Sequence, residues 1–255
     1  MLKGKRPRLL AAAQAMIHRL AGGAAQRDLP AALLCASIGL AHAAEKLSEA
    51  EVMLFMTDHF GASSAPTSLI YDFSRSGSME PAFRDTVQVS VKPGARGAAR
   101  TISTRCLSGT SKVELPEVSQ VEGNPALLCF LERDIREMER LTGGKANYFR
   151  KRIRIALAEQ AQVRPVTLDY AGKQVEGKEI RISPYLNDPL RERFERYAGK
   201  FYVFRLSSQI PGTIHEIDAV IPDAGKSAGA QGTNAPLVEE VLSFARTEPA
   251  GKKDK

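Results

Sequence analysis

Histidine is the first residue to weigh for proton transfer or metal binding, and the chain has four: His18, His42, His59 and His215. The first two lie in an N-terminal stretch with the marks of a leader, set out below. Asp58 and His59 are neighbours in sequence, so their side chains need not converge, and a loop pair is the favoured reading over a catalytic one. His215 sits in a strand-like run with Glu216 directed to the other face, which reads as a surface or core-edge histidine. Neither histidine has a second ligand at metal-binding spacing. The chain has no G-x-S-x-G elbow, no S-x-x-K ahead of a helical core and no phosphate-cradling glycine loop. Ser74-Arg75-Ser76-Gly77-Ser78 reads as a strand end and turn. Carboxylates are plentiful, but nothing in their spacing pairs two of them for acid–base work. The pattern points away from an enzyme and calls for no cofactor and no metal.

Two residue sets carry binding chemistry instead. Arg150, Arg152 and Arg154 alternate with Lys151, Ile153 and Ile155. In a strand they form a basic outer row, either solvated or docking an acidic partner or anionic lipid headgroups. Tyr71, Phe73, Phe201, Tyr202 and Phe204 supply aromatic surface, either as sheet core or as the lining of an apolar cavity.

The address of the protein is written at residues 29–43, LPAALLCASIGLAHA. A basic stretch precedes this short apolar run, and Ala41-His42-Ala43 ends it in the A-x-A form of a cleavage site. The order predicts a signal peptide over residues 1–44, cut near Ala43 or Ala44, and a periplasmic mature protein with no stable transmembrane anchor. The run is short of the roughly 20 residues a span needs. Leu34 before Cys35 argues against lipidation, and Met16 offers a second start that gives a leader of ordinary length. The net charge of +7 belongs mostly to this leader, which holds six bases (Lys3, Lys5, Arg6, Arg8, Arg19, Arg27) and one acid, Asp28. The pI of 9.4 is therefore no nucleic-acid footprint. Cys106 and Cys129 remain after cleavage, an even pair bound for an oxidising compartment. They are either bonded or buried as two free thiols.

The elements that would position these residues are mostly strands. Ser48 and Glu51 form a capping box for a short helix reaching Met56. Period-two alternation marks strands at 67–75, 86–92 and 100–107, with a further strand at 112–115. Asn124-Pro125 caps and opens a helix, Leu128, Leu131, Ile135 and Met138 line its apolar side, and Gly143-Gly144 ends it. Glu132 with Arg136, and Arg133 with Glu137, read as exposed ion pairs four apart. Residues 147–157 read as a strand, though their composition also suits a helix. Residues 167–170 and 178–183 form a hairpin through Gly172. Asp188-Pro189 starts a second helix, with Leu190, Phe194 and Tyr197 on its buried face. Strands at 200–207 and 213–221 follow, the latter entered from a Pro211-Gly212 turn. Residues 223–236 read as a linker, 236–246 as a short amphipathic helix and the end as a charged tail. The expected organisation is a leader at 1–44, a β-rich domain at 45–222 and a tail at 223–255. The fold class is mainly β, α+β in detail: a curved antiparallel sheet or open half-barrel covered by one or two amphipathic helices.

Phe130-Leu131-Glu132-Arg133-Asp134, Leu141-Thr142-Gly143-Gly144 and Tyr148-Phe149-Arg150-Lys151-Arg152 resemble strings in uncharacterised exported proteobacterial proteins. Over residues 69–222 the order of elements is also loosely similar to the periplasmic half-barrel carriers of the lipoprotein-sorting family. That resemblance implies acyl chains as ligand in a hydrophobic half-barrel and assigns no site residue here. The sequence thus leads to an exported, non-enzymatic binding or carrier protein for a lipid or other apolar small molecule. The alternative is a structural or assembly factor that acts through a protein partner.

Overall fold

A computed structural model describes residues 46–61, 65–92, 94, 99–119, 122–223 and 235–250. The segment expected as a leader, residues 1–44, lies outside the described residues. Nine strands, β1 (Thr67–Ser76), β2 (Phe83–Lys92), β3 (Thr101–Cys106), β4 (Val118–Ser119), β5 (Gln162–Tyr170), β6 (Lys173–Ile182), β7 (Phe201–Leu206), β8 (Ile214–Ile221) and β9 (Val238–Pro249), make one sheet. Every pairing is antiparallel, and the order is β4-β3-β2-β1-β9-β8-β7-β6-β5. The sheet is open, with β4 and β5 at its edges. Short connections set β1–β2, β5–β6 and β7–β8 antiparallel, because parallel neighbours need long crossovers. The tightest is Ala171-Gly172 between β5 and β6, where φ is 52° and 73°. Two successive positive values are what a two-residue hairpin turn demands.

The last strand corrects the sequence reading. Residues 238–249 are no amphipathic helix in a tail. They form β9, in the middle of the sheet between β1 and β8. The β-rich unit therefore does not close at residue 222. The inward positions of β9 are Val238, Glu240 and Leu242, all buried. A carboxylate at an inward position breaks the apolar alternation, and Leu237, Val241 and Leu242 mimic helical spacing.

Helices cover one face. α1 (Glu49–Glu51) runs on as a π turn through Val52–Met56 and carries the capping box of Ser48 and Glu51. α2 (Pro125–Thr142) begins where its signals lie: Asn124 Oδ1 accepts from the Ala126 N–H at 3.0 Å, and Gly143 ends it at φ 67°. Leu127, Phe130, Leu131, Ile135 and Met138 are buried on the sheet, while Leu128 is half-buried. Each large side chain so buried contributes roughly 1.5–3 kcal/mol as an upper bound. The charges of α2 do not pair with one another four apart. Glu132 meets Arg150, Arg133 meets Glu240, Arg136 donates to the Lys112 carbonyl, and Glu137 meets Arg140 and Arg75.

Residues 147–157 belong to a helix, α3 (Ala146–Glu159), and not to a strand. Phe149, Ile153, Ala156 and Leu157 bury at helical spacing. The alternation of arginine with isoleucine hid that period. The expected strand at 112–115 reduces to a single bridge of Val113 to Cys106, and β4 lies just beyond it. After Asp188-Pro189 the chain makes a 3-10 turn (Arg191–Phe194) and then α4 (Glu195–Ala198). Phe194 is buried there, but Leu190 stays 39% exposed. Among the described residues no helix is long and apolar enough to cross a membrane.

Candidate functional site

Four of the five aromatic candidates are core. Tyr71, Phe73, Tyr202 and Phe204 are buried against α2 and its neighbours. The Phe73 ring lies 6.3 Å from Phe130 and under the Arg133 guanidinium at 4.7 Å. Tyr202 and Phe204 stack at 6.4 Å. Phe201 alternates to the other face of β7, half-buried beneath the Arg181 guanidinium at 3.8 Å. The five do not converge on one cavity.

The basic row is dispersed by the helix. Arg150 forms a fork with Glu132 of α2 at 2.7 and 3.0 Å. Arg152 pairs with the buried Asp188 at 2.7 Å. Arg154 is half-buried and carries no ion pair among the described residues. Cys106 and Cys129 are joined by a disulfide with their Cα atoms 5.7 Å apart, which ties the first turns of α2 to β3.

His59 supports the start of α2, while Asp58 pairs with Arg100, so the two do not form a catalytic pair. Asp58 takes the Arg100 guanidinium at 2.7 and 2.8 Å, which holds its carboxyl below the usual range. Buried His59 donates from Nε2 to the Met53 carbonyl at 2.8 Å and accepts the Asn124 N–H at Nδ1, 3.1 Å. Those partners require the neutral ring, and burial lowers its pKa accordingly. His215, on β8, meets the Asp169 carbonyl at 3.1 Å. No three His, Cys, Asp or Glu side chains gather as a metal site among the described residues.

Sequence reasoning missed a charged layer beneath α2. Asp134 accepts from both the Lys200 ammonium and the Tyr202 hydroxyl. Tyr185 lies beyond, its hydroxyl 3.5 Å from that of Tyr202. One step along the helix, Arg133 pairs with Glu240 of β9. All six side chains are buried. Burial, followed by the Asp134 charge, pushes both tyrosine hydroxyls well up. Burial likewise raises the Glu240 carboxyl, against the pull of Arg133. Two cations face two carboxylates, so the layer is neutral overall and fastens helix to sheet.

The open ground lies at the turn between α2 and α3. A cleft of about 450 Å³ is lined there by Lys145, Tyr148, Phe149, Leu190, Arg193 and Phe194, beside the Gly143-Gly144 turn. Its volume falls within the range of small-molecule sites. The floor is aromatic: Phe149 meets Tyr185 edge-on at 5.7 Å and Phe194 at 5.9 Å, and Tyr185 meets Phe194 at 5.9 Å. The floor therefore runs into the core through Tyr185. Tyr148 closes one side and donates its hydroxyl to Asp188. Burial and the Asp188 charge push that hydroxyl up to about 12. The 3-10 turn after Pro189 brings Phe194 inward and leaves Leu190 at the mouth. No motif in the sequence announces this site, because its two halves come from separate turns.

No protein-family model matches the chain, and no curated protein matches it. Among solved structures, the chain is similar to lipoprotein LppX of Mycobacterium tuberculosis, with 9% identity and a TM-score of 0.31, over 76% of this chain and 91% of that one. It is also similar to a LolA superfamily protein from Nitrosomonas europaea, with 9% identity and a TM-score of 0.20, over 81% of this chain and 94% of that one. Likenesses this loose say nothing about ligand or role.

Proposed function

We propose that the protein is an exported, non-enzymatic binding or carrier protein that seats the apolar part of a small ligand in the cleft at the α2–α3 turn. One observation carries the reading: the cleft has a preformed aromatic floor, Phe149 and Phe194, with Leu190 exposed at its mouth. Concave apolar surface with a few polar groups at the rim is the general form of a small-molecule site. Export is supported by the leader-like segment at residues 1–44 and by the disulfide, a bond favoured in oxidising compartments. The rival role, an assembly factor docking a protein through Arg150, Arg152 and Arg154, loses support from the ion pairs that already occupy the first two.

A neutral apolar dye such as phenylnaphthylamine tests the reading. The mature protein should bind it saturably, one per chain, with enhanced fluorescence. Leu190→Glu should weaken that binding about fivefold or more by placing a charge at the apolar mouth. Absence of saturable binding, or binding indifferent to Leu190→Glu, overturns it.

A further inference from the structure

We infer that the cleft selects an anionic amphiphile, a ligand whose acidic head lies between Lys145 and Arg193 while its apolar body rests on Phe149 and Phe194. The inference rests on the binding reading above and adds the ligand's charge. Its ground is the placement of two cations without carboxylate partners beside an aromatic floor. The cations next along α3 are neutralised, since Arg150 holds Glu132 and Arg152 holds Asp188. Lys145 and Arg193 both line the cleft, and neither has an ion-pair partner among the described residues.

Two acids near them are already engaged. Asp188 is consumed by the Arg152 guanidinium, the Tyr148 hydroxyl and the Leu190 N–H. Glu139 accepts the Ala146 N–H at the start of α3. Glu192 and Glu195 flank Arg193 in the chain without pairing with it. The Arg193 charge also reaches inward, where it opposes the rise of the Tyr148 hydroxyl. The cleft therefore joins an apolar floor to two positive charges that form no ion pair among the described residues. A neutral apolar ligand would satisfy the floor and leave the charges idle. A carboxylate or phosphate on an apolar body satisfies both, because a charge-assisted hydrogen bond to an anion is stronger than one between neutral groups. Arginine adds a planar fork suited to an oxyanion, and lysine adds a point charge.

Titration calorimetry with decanoate and with decanol separates head from body, since the chains are alike and only one is charged. Decanoate should bind about tenfold tighter than decanol. Added salt should shrink that advantage and leave decanol unmoved. The double variant Lys145→Gln/Arg193→Gln should erase it, so that the two ligands bind the variant alike. Both side chains are exposed and free of ion pairs among the described residues, so the variant should fold as the parent does. If decanoate and decanol bind alike, or the double variant keeps the preference for decanoate, the charge inference falls and the apolar site stands. If neither binds, both readings fall together.

Discussion

At its N-terminal end α2 is held by a covalent bond and by neutral hydrogen bonds; midway along, it is held by charges. The first end is built around Asn124, which is fully buried. Its amide donates to the Tyr71 hydroxyl at 2.7 Å and to the Gly212 carbonyl at 2.8 Å, its Oδ1 caps the helix, and its N–H goes to His59. Gly212 must be glycine there. Its φ is 74°, and a Cβ would fall 2.5 Å from Leu69 and 2.8 Å from the Asn124 amide. The disulfide lies just inside this end. Along the middle, Arg133–Glu240 and Asp134–Lys200–Tyr202 bridge helix and sheet. Neutral bonds lose little when buried and made. Buried charges lose their hydration, and their attraction only offsets that loss. The difference sets how each end should fail.

The charged middle should show the largest single effect. Asp134→Ala leaves the Lys200 ammonium buried and unpaired, which costs about 3–5 kcal/mol. The pair itself should be replaceable: Asp134→Leu with Lys200→Met should lose less than the single change. Urea denaturation of both variants measures this. A double variant as unstable as the single one would mean that the ion pair, and not merely its balance, holds the helix.

At the other end the disulfide spans a separation of 23 residues, and its reduction should lower stability by about 3 kcal/mol. Urea midpoints with and without reductant read it directly. An unchanged midpoint would shift the weight of that end to Asn124. Asn124→Ala removes the cap and leaves the Tyr71 hydroxyl and the Gly212 carbonyl short of a donor, a loss of about 2 kcal/mol. Asn124→Asp keeps the acceptor for Ala126 but not the two donors. It should fall between alanine and the parent, and equality with alanine would assign the whole effect to the donors.

The two ends also differ in how far the sequence discloses them. Asn124, Pro125 and Gly143 announce α2 because capping chemistry is local and the partner lies within a turn. Ala171-Gly172 announces its hairpin for the same reason. Arg133 and Asp134 look exposed because a charge inside a helix normally faces water. Their partners stand 107 and 66 residues away, beyond any local pattern. The misreadings of β9 and α3 have one origin with this. Glu240 holds an inward place in β9, and Arg152 points its charge to the buried Asp188, so neither segment shows a clean apolar period. An open antiparallel sheet was legible because most of its strands alternate cleanly. The cleft was not, since it joins two turns that only the packed helices bring together.

Acidity should separate the N-terminal end from the middle most finely, because each holds a buried titratable group whose pKa moves opposite to the other's. Burial lowers the pKa of His59 below its ordinary 6.5, with Met53 and Asp58 opposing. The unfolded chain then takes up a proton near 6.5 before the folded one does. This end's contribution is complete above 6.5 and is lost as pH falls through the folded value. Burial raises Glu240 above its ordinary 4.5, with Arg133 and Lys200 opposing and Asp134 assisting. Here the folded state holds its proton more tightly, so its contribution is complete below 4.5 and is lost as pH rises through the folded value. Urea midpoints from pH 4 to 8, taken as differences from the parent, isolate each group. His59→Gln should flatten the loss on the acid side of 6.5, and Glu240→Gln should flatten the loss above 4.5. If His59→Gln keeps the parent's slope, the N-terminal end does not depend on a neutral imidazole, and the hydrogen bonds at His59 Nδ1 and Nε2 lose their energetic role.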